Sequence, residues 1–74
     1  MKNNTIQLSK NIKKHRLMKD MSQNELALRI GVSHQAISKW EIGENFPDFM
    51  SLISLAQLFE VSLDSLVYQD DLLF

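Results

Sequence analysis

Only Gly31, Gly43 and Pro47 punctuate this chain, and the segments between them repeat their apolar residues at spacings of three and four. That period matches one face of an α-helix, and the two-residue alternation of a half-buried strand is nowhere seen. The fold class expected is therefore all-α. A first helix is predicted from Ile6 to Lys19, with Leu8, Ile12 and His15 on one face and lysines on the others. Ser22 followed by Glu25 forms a capping-box pattern, so a second helix should start there and bury Leu26, Ala27 and Ile30. Gly31 supplies the residue that tolerates positive φ and ends that helix, and Ser33 is placed to cap a third after a very short turn. Ala36, Ile37 and Trp40 make the inward stripe of this third helix and leave Ser33, His34, Gln35, Ser38 and Lys39 outward. After a loop from Gly43 to Pro47, Asp48 can cap a fourth helix that buries Leu52, Leu55, Ala56 and Phe59. Ser62 can cap a short fifth that buries Leu63, Leu66 and Val67. Met18, Met21, Trp40 and Phe59 are expected in the core.

A chain of 74 residues has room for one modest core, so residues 1–74 are read as a single domain with its core in 6–68 and an apolar tail in 69–74. Without cysteine, neither disulfides nor thiolate metal sites can brace it, and two histidines, His15 and His34, are too few for a zinc cage. No nucleophile, base and oxyanion set and no glycine-rich phosphate loop is present, so an enzyme and a cofactor are not expected. Met1 to Gln7 lacks the apolar stretch of a signal peptide, and no apolar run approaches the roughly 20 residues of a membrane span, which points to the cytoplasm.

The net charge of −1 hides a strong asymmetry. Up to Lys39 eight basic residues face only Asp20 and Glu25, whereas from Trp40 onward seven acidic residues have no basic counterpart. The basic half suits a polyanionic partner such as DNA, although a charged stretch is also what a solvated face looks like.

The segment from Gln23 to Ile42 discriminates between the two. It holds a capped helix, a glycine turn and a second helix with an apolar back and a wholly polar front. A helix that enters the major groove needs a tight turn to hold it proud, an apolar anchor and polar side chains long enough to reach base edges. The stretch MSQNELALRIGVSHQAISKWEIGENFPDFMSLISLAQLFEVSLDSL, with IKKHR upstream, resembles the Cro/Xre-type helix-turn-helix regulators. Ala27, Gly31, Ile37 and Trp40 fall where that family places its small residue, its turn glycine and its two core anchors.

The resemblance implies a five-helix, lambda-repressor-like domain that binds double-stranded DNA and regulates transcription, with repression the expected mode. It places His34, Gln35, Ser38 and Lys39 against bases, and Gln23, Ser33 and Asn45 against phosphates. Gln35 can pair with adenine and Lys39 can donate to guanine, while helix starts offer N–H groups to phosphate. It also pairs Arg16 with Glu41, which would tie the first helix to the end of the recognition helix; two solvated charges are the alternative. A homodimer on a pseudopalindrome is expected, because one such domain buries little DNA surface. The apolar end at Leu72, Leu73 and Phe74 suggests docking on the body or on a second copy. An antitoxin that binds a protein partner and represses its own operon is the second reading. Four positions depart from the usual pattern: Glu44 in the loop, Glu60 where glycine is commoner, His15 where leucine is usual, and Leu28 on an exposed face.

Overall fold

The computed structural model describes residues 6–68, which form five helices and no strand. These are α1 (Leu8–Met18), α2 (Gln23–Ile30), α3 (His34–Glu41), α4 (Phe49–Phe59) and α5 (Leu63–Tyr68). Four are started by short polar side chains. Ser22 Oγ accepts from the Glu25 N–H while the Glu25 carboxylate accepts from the Ser22 N–H, completing a capping box. Ser33, Asp48 and Ser62 accept from the N–H groups of Ala36, Ser51 and Ser65 in the same way.

Helices α1 to α4 also stop alike. In each case a residue just past the helix takes positive φ, and the next N–H reaches back to a carbonyl five residues earlier, satisfying groups that a helix end leaves open. Two of these residues are glycines, Gly31 and Gly43, but the others are Asp20 (φ 57°) and Glu60 (φ 62°), which carry a steric cost that glycine avoids. Glu60 thus takes, at a position where glycine is commoner, the left-handed geometry that glycine adopts without strain.

The core draws on every helix: Leu8 and Ile12 from α1, Met21 from the turn, Leu26 and Ala27 from α2, Ile37 and Trp40 from α3, Leu55, Ala56 and Phe59 from α4, and Leu66 from α5. Fully burying a side chain of leucine or isoleucine size contributes about 1.5–3 kcal/mol, so this cluster is the main source of stability. Three expectations need correction. Helix α1 is shorter than Ile6–Lys19, because the Gln7 N–H bonds to the Val67 carbonyl at 2.7 Å and Lys19 has already left helical geometry. Met18 lies 69% exposed, since the inward stripe of α1 runs through Leu8, Asn11, Ile12, His15 and Arg16 and turns Met18 outward. Leu63, the first residue of α5, sits at the rim, and Leu66 one turn later carries the burial. The apolar tail lies outside the described residues. Among those described, no helix is long and apolar enough to cross a membrane.

His15 stacks on Phe59 at 5.2 Å between ring centroids, fixing α1 against α4 as a packing residue. Asn11, only 1% exposed, donates to the Leu66 carbonyl at 2.8 Å and so joins α1 to the end of α5. An amide in this position satisfies a carbonyl that the short α5 cannot satisfy itself.

Candidate nucleic-acid interface

Helix α3 is held by its apolar back. Ile37 and Trp40 are buried, Ala36 packs against the core, and Gly31 at φ 77° turns the chain sharply enough to set α3 across α2. No heavy atom lies within 4 Å of where a Gly31 side chain would start, so the backbone conformation alone calls for glycine there. His34, Gln35 and Lys39 stand exposed on the front of α3, with Ser38 half-buried among them. The side chains expected to face bases therefore share one surface.

Gln23 begins α2 beside that surface and Ser33 caps α3, bringing two helix N-termini to the same side as His34. Such ends carry N–H groups and a partial positive charge that suit an anion. The Ser33 oxygen is engaged as the cap but its hydroxyl can still donate. Asn45 is exposed in the loop between α3 and α4, and Glu44 precedes it, also exposed. Among the described residues no group of three or more histidine, aspartate or glutamate side chains is placed to hold a metal ion.

Behind the surface lies a polar relay. Arg16 donates from Nε to Glu41 Oε2 at 2.7 Å and from Nη2 to Oε1 at 3.1 Å, and its Nη1 donates to the Met21 carbonyl at 2.8 Å. The two side chains are 9% and 3% exposed. Hydrogen bonding to Glu41, aided by the charge of its carboxylate, raises the Arg16 pKa despite the opposing effect of burial. The Gln23 amide nitrogen then donates to Glu41 Oε1 at 3.0 Å, and Gln23 Oε1 lies 3.0 Å from His34 Nε2. Sequence reasoning singled out these four residues but treated Gln23 and His34 as separate contacts; the structure links them. It missed Asn11, whose only signal was an amide on the inward stripe of an otherwise lysine-rich helix.

The helix-turn-helix family model matches residues 12–66, a span that runs from the core of α1 to Leu66. The chain belongs to the helix-turn-helix family. Among helix-turn-helix proteins it is 36% identical over 59 residues to YqaE of Bacillus subtilis, an uncharacterised HTH-type transcriptional regulator, covering 80% of this chain and 51% of YqaE. It is 32% identical over 68 residues to the HTH-type transcriptional activator BcrR of Enterococcus faecalis, covering 92% of this chain and 33% of BcrR. The chain thus spans about half the length of one of these relatives and a third of the other. Its fold superimposes on that of the P22 c2 repressor, solved with a synthetic operator, with a TM-score of 0.80 and 32% identity over 85% of this chain and 96% of that one. It also matches SinR, the master regulator for biofilm formation, solved with DNA, with a TM-score of 0.73 and 28% identity over 80% of this chain and 95% of that one.

Proposed function

We propose that this helix-turn-helix chain is a sequence-specific regulator of transcription that binds double-stranded DNA with α3 in the major groove. The observation that carries this reading is the two-sided character of α3: Ile37 and Trp40 anchor it to the core while His34, Gln35, Ser38 and Lys39 form a polar front. Residues 6–68 are the binding unit. His34, Gln35, Ser38 and Lys39 contact base edges, and Gln23, Ser33 and Asn45 contact phosphates, with Gln23 using the amide hydrogen that Glu41 leaves free. The P22 c2 repressor and SinR, both solved with DNA, support this assignment of the partner. Repression is the mode favoured, since a domain seated in the groove excludes other proteins from the same DNA by occupancy alone. DNA as partner implies a cytoplasmic location. The relatives named above are described as regulators, and nothing among them favours the antitoxin reading.

The active form is a homodimer on a pseudopalindrome whose half-site centres lie about 34 Å apart. An apolar depression of ≈190 Å³ lined by Ile6, Leu8, Phe46, Leu52 and Val67 supports a second copy as its occupant, as do Phe49 and Met50, exposed nearby in sequence. A twofold contact places the same apolar surface on both partners, so the patch is self-complementary. Phe49→Ser with Met50→Ser is expected to give a monomer by sedimentation, and an unchanged dimer would place the interface elsewhere.

The function is tested by selecting bound fragments from genomic DNA with the purified protein and titrating the best against random DNA at several salt concentrations. One palindromic site bound at least about a thousandfold better than random supports the reading. Binding that weakens equally for all DNA as salt rises overturns it.

A further inference from the structure

We infer that His34 reads its base as a hydrogen-bond acceptor, through Nδ1, because the relay behind it dictates where its proton sits. The inference rests on the DNA-binding function proposed above and concerns the chemistry of one contact in it. The chain of constraint starts at Arg16. It donates to both oxygens of the Glu41 carboxylate, and a carboxylate can only accept. Gln23 must therefore present its amide nitrogen to Glu41 Oε1, and its carbonyl oxygen is left as the atom 3.0 Å from His34 Nε2. An oxygen facing that nitrogen can only accept, so Nε2 carries the hydrogen and donates. In the neutral ring the other nitrogen, Nδ1, is then a bare lone pair. Among the described residues it has no hydrogen-bond partner, and the ring stands exposed beside Gln35 at the start of α3.

A bare lone pair seeks a donor. In the major groove the donors are the exocyclic amines, N6 of adenine and N4 of cytosine, whereas N7 and O6 of guanine, O4 of thymine and the phosphate oxygens accept and would repel it. A histidine free to choose its tautomer could serve either kind of partner. Here the choice is made twenty-five residues upstream of Glu41, at Arg16, and is passed to the surface through two side chains. Gln23 accordingly acts as a positioning residue for base preference in addition to any phosphate contact of its own.

The test starts from the operator recovered by fragment selection and deletes single chemical groups from it at pH 8, above the ordinary imidazole range. The position read by His34 is the one whose base preference disappears in His34→Ala. There, replacing the amine-bearing base by its analogue lacking the amine is expected to weaken binding of the wild-type protein about tenfold and that of His34→Ala not at all. Gln23→Met should leave His34 in place yet relax the preference at this position alone, an effect that loss of a phosphate contact would not produce. Nitrogen-15 spectra of the free protein give a reading independent of DNA. The wild type should show His34 in the Nε2–H form, and Gln23→Met a mixture.

Loss of affinity on deleting the purine N7 instead, or a loss in His34→Ala that is equal on all sequences, overturns the inference while leaving the DNA-binding function standing. An Nδ1–H tautomer in the free protein overturns it as well. Failure to select any site overturns both.

Discussion

Replacing Glu41 by leucine is expected to cost the domain about 3–5 kcal/mol, because it strands a cation that the fold has taken out of water. Arg16 has three hydrogen bonds to Glu41 and Met21, two of them to Glu41, and a side chain only 9% exposed. After the substitution one carbonyl remains to compensate a full charge. A chain of this length has a total stability of roughly 4–11 kcal/mol, so the loss removes about a quarter of it or more and should lower Tm by about 12 °C or more. Arg16→Met should be similarly damaging, since it leaves the Glu41 carboxylate buried without its cation. The double variant Arg16→Met/Glu41→Leu should recover most of the loss. It buries no charge, packs two apolar side chains of comparable size, and beyond the pair itself sacrifices the bond to the Met21 carbonyl and the bond from the Gln23 amide, worth about 1 kcal/mol each. Urea unfolding followed by the fluorescence of Trp40, the single tryptophan and a buried one, measures all four proteins. A coupling of at least about 2 kcal/mol is expected. Additive losses, or a cost below about 1 kcal/mol for Glu41→Leu, would show a solvated pair and refute the reasoning. The double variant also separates stability from recognition: although stable, it no longer orients the Gln23 amide and should bind the operator less selectively.

Glu60→Gly should stabilise the protein by about 1 kcal/mol, read from the midpoint of urea unfolding, since it relieves a left-handed non-glycine residue and removes a negative charge from the C-terminal end of α4. Hydrogen bonds from the Ser51 side chain and backbone hold the Asp48 pKa below its ordinary value of 3.8. Its contribution to stability is therefore complete above that value and is lost as the pH falls through the lower value of the folded state. Asp48→Asn keeps a capping oxygen and should flatten this part of the acid-unfolding curve; an unchanged slope would show that other carboxylates set it. At the interface, Gln35→Ala should cost about 1–3 kcal/mol on the operator and relax the sequence preference, whereas equal losses on operator and random DNA would assign Gln35 to phosphate.

Which segments are helical, where α2 to α5 start and which residues lie on the buried side of α2, α3 and α4 are legible in the sequence alone. These features depend on groups three to five positions apart: Ser22 with Glu25, Asp48 with Ser51, Gly31 with Ala27, and the Ile37–Trp40 stripe. The polar front of α3 was legible for the same reason, being what remains once the apolar back is identified. The ends of α1 were not, because whether Gln7 joins the helix depends on the Val67 carbonyl, sixty residues away in the chain and brought near only by packing. It takes the packing of the helices to bring Asn11 to the end of α5 and to join Arg16, Glu41, Gln23 and His34 in one continuous relay. A helical period records which way a side chain points, but the direction of a hydrogen bond depends on which acceptor stands opposite. That partner is supplied by another helix, so the proton on His34 is a property of the packed domain.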